Sequence, residues 1–490
     1  LGAPQLDVAA LRSQSEALKA AVLAAVPAQD FELTYRYQAL PLLAGRAGEA
    51  GVEALAQHPD VVEVAIDGQG SAALGESVPL IFANEAHDGG LTGEGVIVAV
   101  LDSGVDTDHP DLQGDIAYEA CFLPGSGCPA GAHPAEDDNG HGTNVAGIIT
   151  SAGTVAPVGV APDAQIAAYK ILNASGFGSF SDWVAALDDI AANHPEVDFV
   201  NMSLQSPFAC PSSALETAIA TLRQNGVLTF IAAGNHGIKQ SFNIPACIDD
   251  GISVGASYDA SLGSISGWKV NCTDAVTSAD MITCWSDSDE SLDLLAPGAN
   301  VTSAGRFGVT STFRGTSQAS PHAAGVAALL LEAFPALDAG QIEARLEATG
   351  ALLTDDLNDS DPMTNRTTPR VDARVALLAD ADDADVDGCS NEAEFGLDPS
   401  LGGQRNPLVP WDFYDTNGDQ TIDLFEDIFS VAGAFGVSQG DPGYSTALDR
   451  SSVPPATDPW HVGPPDGVID LFNDVFGVAA QFGHDCTPLP

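Results

Sequence analysis

The sequence predicts an α/β protein in three parts. A small α+β unit comes first, then a large central unit on a largely parallel sheet, then a small acidic unit of loops and helices. Three observations predict this. Between residues 80 and 379, short runs of apolar strand formers alternate with segments of helical periodicity, as in βα repeats around a parallel sheet. The first run, Val96 to Leu101, is apolar at every position, as expected of a strand buried on both faces. From Asp380 the composition shifts to Asp, Gly, Pro and Phe. The parts are placed at 1–78, 79–379 and 380–490.

In the first part, Phe31 to Leu40 reads as a strand and Ala47 to Gln57 as a short helix. His58-Pro59-Asp60 makes a turn into a second strand, Val61 to Ile66. The Gly-, Ser- and Ala-rich stretch from Gly68 to Val78 is the expected join. Strands of the central unit are expected at Val96 to Leu101, Ile166 to Ile171, Phe199 to Met202, Leu228 to Ala232 and Ile252 to Gly255. Helices are expected at Asp182 to Asn193, Ser212 to Asn225 and Gln341 to Thr349, with a strand-like closure at Arg370-Val371.

The chemistry is concentrated in three glycine-bearing segments. Gly315-Thr316-Ser317-Gln318-Ala319-Ser320-Pro321-His322 sets a serine on a turn, followed at once by the apolar run Ala323 to Leu331. A hydroxyl there sits at a helix N-terminus, where unpaired N–H groups and the helix dipole favour negative charge. A plain helix cap by Thr316 or Ser317 is the alternative. Asp102 ends the first apolar run, at the carboxyl end of a strand, where α/β sheets gather their functional groups. His141 stands between glycines at the head of a helix of small residues. Serine is a weak nucleophile without an adjacent base. Histidine can take its proton near neutral pH and return it to a leaving amine. An aspartate on the other ring nitrogen fixes the tautomer and stabilises the imidazolium.

Asp102-Ser103-Gly104, His141-Gly142-Thr143 and Gly315-Thr316-Ser317 resemble, in order, the three active-site segments of the subtilases. The resemblance implies a serine endopeptidase with a three-layer sandwich fold, in which Asp102 orients, His141 is the base and Ser317 the nucleophile. Ala232-Ala233-Gly234-Asn235 resembles the segment carrying that family's oxyanion-hole asparagine. Asn235 would then donate its side-chain amide together with the Ser317 backbone N–H; a cap or αL turn is its other reading. His322 is expected to pack structurally.

The same resemblance places the primary specificity pocket between the segments of Ser203, Leu204 and Gln205 and of Ala232 and Gly234. Gln205 and Ser206 stand where the family has glycines. Ser175-Gly176-Phe177-Gly178-Ser179 resembles the edge that pairs with an extended peptide as an added strand. Polypeptides in extended form are therefore the expected substrates, cleaved through an acyl-enzyme on Ser317. Pro59-Asp60-Val61-Val62-Glu63-Val64 resembles the inhibitory prodomain that precedes subtilases, which makes the N-terminal part an intramolecular inhibitor of a zymogen; a small adaptor domain is the alternative. The competing class is a non-catalytic or docking protein that keeps the fold as a scaffold.

Sixteen basic residues face 68 acidic ones, a formal charge of −52. Repulsion from phosphate argues against nucleic acid and anionic membrane as general partners. Such charge suits high salt or abundant divalent cations; the compositional bias of a GC-rich genome is the other source. Eight cysteines allow 105 pairings. Short-range or domain-closing pairs are Cys121 with Cys128, Cys210 with Cys247, Cys272 with Cys284, and Cys389 with Cys486. A disulfide framework implies an oxidising, secreted setting. No apolar run is long enough to span a membrane. Ala20 to Val26 is at the short limit of a signal-peptide core, with Glu16 and Lys19 before it. The true N-terminus is expected to be missing or already processed.

In the last part, Asp383, Asp385, Asp387, Asn391 and Glu394 fit the spacing of a calcium loop around Gly388. An acidic solvated loop is the alternative. A second loop offers Asp415, Asn417, Asp419, Asp423 and Glu426, with Gln420 in the expected glycine position. Ile422 to Gly436 and Ile469 to Gly483 repeat one another. The second copy keeps Asp466, Gly467 and Asp470 but has Val462 and Pro464 at the first two ligand positions, so no metal is assigned there. The paired repeats look somewhat like a dockerin, with a docking partner as its implication. The long insert and degraded second loop favour a self-contained calcium-stapled domain. No organic cofactor is called for.

Overall fold

The computed structural model describes residues 18–27, 31–36, 43–56, 58–61 in part, 74–355 and 364–378 apart from a few single positions, and shorter pieces between 407 and 481. They divide into two compact units, Leu1–Ser71 and Ala72–Pro490.

In the first unit, β1 (Phe31–Arg36) pairs antiparallel with β2 (Leu43–Ala47), and the helix Glu49–Ala56 follows. Val22, Val26 and Leu55 form its small core, with Phe31 and Val61 packed on it. Sequence reasoning missed β2, because Leu-Ala-Gly-Arg-Ala holds no β-branched residue and takes its strand form from the partner. The strand expected at 61–66 lies outside the described residues beyond Val61.

The second unit is built on β3 (Ile97–Asp102), β4 (Ile116–Cys121), β5 (Gln165–Lys170), β6 (Phe199–Met202), β7 (Leu228–Ala232) and β8 (Ile252–Ser257). After these come the two-residue strands β9 (Ile265–Ser266) and β10 (Thr273–Asp274), then β11 (Leu294–Pro297), β12 (Val301–Gly305), β13 (Val309–Phe313), β14 (Ala351–Thr354) and β15 (Thr367–Arg370). Nine strands form one sheet in the order β14-β15-β11-β8-β7-β6-β3-β5-β4, parallel except for β14 on β15. The expected closure at Arg370-Val371 is made by pairing of Leu295 with Arg370 and by the Val371 N–H on the Leu295 carbonyl.

Alternate residues of β3 enter opposite layers. Val98 and Val100 join the core under the helix Thr316–Ala333, while Ala99 and Leu101 join the core under the helices Phe180–Asn193 and Ser213–Gln224. A strand with two apolar faces between two helical layers is the three-layer sandwich. Two helices start two residues ahead of the periodic pattern for a local reason, while the one expected from Ser212 starts at Ser213. Ser179 with Asp182, and Asp338 with Gln341, close reciprocal capping boxes that recruit the preceding turn.

The strand order reverses at β3: β5 and β4 lie on one side, β6, β7 and β8 on the other. The crevice beyond the carboxyl ends of the strands at such a point is where α/β sheets bind ligands. Asp102 is the last residue of β3. Behind the crevice, fully buried His322 donates from Nδ1 to the Gln318 carbonyl at 2.7 Å and accepts at Nε2 from Ser77 Oγ at 3.0 Å. Burial pushes its pKa down to about 4, so the ring is a neutral bolt between the helices Leu74–Leu80 and Thr316–Ala333.

Three of the expected disulfides are formed, Cys121–Cys128, Cys210–Cys247 and Cys272–Cys284; Cys389 and Cys486 lie outside the described residues. Cys272–Cys284 closes an insertion with its own core of Tyr258, Met281 and Trp285. In the C-terminal repeats, Ile422 and Val431 of one copy share a core with Ile469 and Val478 of the other. Asp427 and Asp474, also in matching positions, are both fully buried. Each accepts a backbone N–H, from Thr416 and Arg450 respectively.

Asp259, just beyond β8, is buried without a hydrogen-bond partner on another residue, and burial pushes its carboxyl up to about 7. A carboxyl with a raised folded-state pKa stabilises the fold below its unfolded pKa, and that stability is lost as pH rises through the folded value. Asp259→Asn should therefore raise the unfolding temperature by several degrees at about pH 8 and change it little at about pH 4, as read by calorimetry. Equal shifts at both pH values would show that the carboxyl does not titrate as described.

Candidate active site

Asp102, His141 and Ser317 arrive from three elements. Asp102 ends β3 and is fully buried. His141 is the first residue of the helix His141–Thr150. Its Nδ1 lies 2.8 and 2.9 Å from the two Asp102 oxygens. A carboxylate only accepts, so Nδ1 carries the hydrogen and Nε2 is left for the substrate side. The ring of Phe313 meets the imidazole edge-on at 5.9 Å.

The loop ahead of His141 is fastened to the strand that carries Asp102. Asp137 Oδ1 accepts from Ser103 Oγ at 2.9 Å and from the Asn139 and Gly140 N–H groups; its Oδ2 accepts from Thr143. Ser103 Oγ in turn accepts from the Gly142 N–H at 3.0 Å. A Cβ added at Gly142 would overlap the Gly104 carbonyl and stand 3.1 Å from the Asp102 Cβ. Bare backbone at Gly142 thus sets how closely the histidine helix can approach the aspartate. Lys170 is fully buried at the end of β5, with Nζ on the Ser103 carbonyl at 2.5 Å and on Asp138 at 2.6 Å.

Ser317 is in the first turn of the helix Thr316–Ala333. Pro321 has no N–H to give the carbonyl four residues back, which is that of Ser317. Ser203 Oγ donates to that carbonyl instead, at 2.6 Å. Asn201 Nδ2 donates to Ser203 Oγ at 2.9 Å, and Asn201 Oδ1 accepts from Ser320 Oγ at 2.7 Å. Ser320, Asn201 and Ser203 thus form a buried relay from the helix through β6 to the serine backbone.

Asn235 Oδ1 accepts the Thr316 N–H at 2.9 Å. That bond fixes which way the amide faces, so Nδ2 is its outward donor. Gly315, at φ 151°, passes so close that a Cβ would lie 3.1 Å from Asn235 Oδ1.

Ser317, His141 and Asn235 line one cleft of about 820 Å³. Of the expected substrate residues, Ser203, Leu204, Gln205 and Gly176 line it as well. Ser175 is exposed beside Gly176, Ala232 is buried in β7, and Gly234 lies behind Asn235. Sequence reasoning missed Phe180, Trp183, Phe208, Phe313 and His236, which also line the cleft. The aromatic spacing in Phe180 to Trp183 was the available signal, one that reads equally well as core. Gln205 and Ser206 are built into the frame. The Asn235 N–H donates to Gln205 Oε1 at 3.0 Å, and Ser206 Oγ accepts the Phe208 N–H at 3.2 Å.

Asp106, Asp108 and Glu136 bring three carboxylate oxygens within 4.8 Å of one another. Asp106 already accepts the Phe307 and Gly308 N–H groups, and Glu136 accepts from Thr107. The ten loop residues assigned to calcium, from Asp383 to Glu394 and from Asp415 to Glu426, lie outside the described residues.

A model of the subtilase family matches residues 93–376. M-protease of Shouchella clausii (strain KSM-K16) is 35% identical over 334 residues, which cover 67% of this chain and 79% of that protein. Subtilisin E of Bacillus subtilis (strain 168) is 33% identical over 313 residues, covering 62% and 74%. A crystal structure of a cold-adapted subtilisin-like serine proteinase aligns with a TM-score of 0.46 at 28% identity, over 58% of this chain and 90% of that one.

The close approach at Gly142 yields a test. Gly142→Ala should push the histidine helix off the aspartate and lower turnover of a chromogenic peptide substrate about 10²-fold, the usual result of a misplacement near 1 Å. Unchanged turnover would mean that the helix is not held against Gly104.

Proposed function

The chain belongs to the subtilase family and is a subtilisin-like serine endopeptidase, and from that premise we propose how its own residues perform and control the cleavage. Ser317 attacks the scissile carbonyl while His141 takes its proton, and the bond forms as the carbonyl π electrons move to oxygen. Asp102 holds the imidazole by Nδ1 and stabilises the imidazolium. The oxyanion is received by Asn235 Nδ2 and the Ser317 N–H at the head of the helix. His141 then gives the proton to the leaving amine, and water repeats the sequence on the acyl-enzyme. The pairing of His141 Nδ1 with both Asp102 oxygens, at the wall of the cleft that also holds Ser317, carries this reading.

Substrate is an extended polypeptide, bound along Ser175-Gly176 and along Ser203 to Gln205, with Ala232 and Gly234 supporting the opposite wall. The protein is made as a secreted zymogen, with the N-terminal unit as inhibitor. The helix Leu74–Leu80 supports a cut ahead of Ser77, because Ser77 is bonded to His322 in the unit that carries the serine. The C-terminal region binds calcium through Asp383, Asp385, Asp387, Asn391 and Glu394, and through Asp415, Asn417, Asp419, Asp423 and Glu426. Oxygen-only ligand sets of this spacing suit a hard cation. The shared core of the two copies supports a self-contained domain there.

A fluorophosphonate probe should label the matured wild type and leave Ser317→Ala unlabelled. Equal labelling of the two, or none of either, removes Ser317 as nucleophile. Calorimetric titration of calcium into the full chain should give binding heat that Asp387→Ala reduces. Flat heats with wild type would end the calcium assignment.

A further inference from the structure

The loop that follows β7 has an unusual set of anchors. Five consecutive backbone N–H groups, Gly234 to Ile238, are each bonded to a group from elsewhere in the chain. Gly234 donates to Thr316 Oγ1 at 3.0 Å and Asn235 to Gln205 Oε1 at 3.0 Å. His236 and Ile238 both donate to Asp287 Oδ1, at 2.9 and 2.7 Å, and Gly237 donates to the Trp285 carbonyl at 2.9 Å. In return the Asp287 N–H donates to the Gly234 carbonyl at 2.9 Å. The loop has no side chain of its own at Gly234, which sits at φ 123° with Asp287 on one side and Gln205 on the other. A Cβ there would overlap Asp287 Oδ2 and approach Gln205 Oε1 to 2.8 Å. External acceptors set this loop's position.

Four of those five bonds come from Thr316, Asp287 and Trp285. The fifth, on Asn235 itself, comes from a cleft-wall residue, at a position where the subtilase resemblance leads one to expect glycine. A glycine at 205 has no side-chain acceptor and would leave the Asn235 N–H without this partner. Gln205 is itself held: it is half-buried, and the next residue, Ser206, donates its N–H to the Ile244 carbonyl at 2.8 Å. Asn235 is therefore gripped at two points, its backbone N–H by Gln205 and its Oδ1 by the Thr316 N–H. Two fixed points define the direction of Nδ2.

We propose that Gln205 is a positioning residue for the oxyanion: its Oε1 holds the backbone of Asn235 so that Nδ2 meets the charge developing on the substrate carbonyl. This rests on Asn235 being an oxyanion donor, as argued above. An oxyanion contact strengthens as charge develops, so its loss appears in kcat more than in KM. The residue at 205 thus links the substrate wall to the oxyanion donor through one hydrogen bond.

The test is a double-variant cycle on the matured full chain with a peptide amide substrate. Gln205→Met keeps length without the acceptor and should lower kcat about tenfold with KM changed less than about twofold. Gln205→Glu keeps an acceptor and should recover most of that loss. Combined with Asn235→Ala, Gln205→Met should add almost nothing, since both act through one group. A full tenfold loss in the Asn235→Ala background overturns the proposal, as does a loss confined to KM. If Gln205→Met does not fold, Gln205→Gly carries the same comparison. Asn235→Ala with normal kcat would overturn the oxyanion assignment and this inference with it. Loss with Asn235→Ala and none with Gln205→Met overturns this inference alone.

Discussion

The site depends on one backbone carbonyl that its own helix cannot satisfy. Pro321 deprives the Ser317 carbonyl of its usual partner, and an unpaired buried carbonyl costs on the order of 1–3 kcal/mol. Ser203 Oγ supplies the hydrogen bond from the strand side. The first turn of the serine helix is thereby joined to β6 by a side chain, where an ordinary helix would be closed on itself. Ser320, through Asn201, completes the tie to Ser203. The serine is fixed relative to the sheet, and the sheet also carries Asp102 at the end of β3, next to β6.

The histidine is fixed to the same sheet by a different device. Asp137 gathers donors from Ser103, Asn139, Gly140 and Thr143, so the turn before His141 and the turn after Asp102 share one buried carboxylate. Lys170 reaches into this region from β5 and binds the Ser103 carbonyl and Asp138. Buried charge of this kind is costly to form and more costly to break on one side. It holds geometry within the tolerance that proton transfer requires.

The segments that carry Asp102, His141 and Ser317 were legible because each holds a glycine beside its polar residue. Gly142 allows a close approach, and Gly315 adopts a backbone few residues share. Strands β3, β5, β6, β7 and β8 were legible because burial on both faces leaves a predominantly apolar run, broken in β6, β7 and β8 by few polar residues. Illegible parts were set by pairing. β4 alternates exposed, half-buried and buried residues along β5, and the β12–β13 hairpin has an exposed Phe307 at its tip. Gln205 was read as a pocket residue, but its hold on the Asn235 backbone, like that of Asp287 on the same loop, was out of reach for another reason. Each acts on the loop at 234–238 from far away in sequence, and no local pattern marks a side chain as the acceptor of a distant N–H.

The charge balance has a structural side that composition hides. Of the sixteen basic residues, six are buried among the described residues: Lys19, Lys170, Lys239, Arg345, Arg370 and Arg450. Several serve as internal bolts. Arg345 donates to the Ala376 carbonyl, and Arg370 forks onto Asp280 while bonding the Val371 carbonyl. Eleven aspartates among the described residues are buried as well, so by formal charge the interior is itself acidic and the surface keeps most of the negative balance. Exposed ion pairs contribute little to stability in any case. What the surface must contend with is repulsion among carboxylates, which falls as the Debye length shortens with salt. Inside, Arg370 is paired with Asp280 and Lys170 with Asp138, contacts that salt screens far less than it screens that surface repulsion.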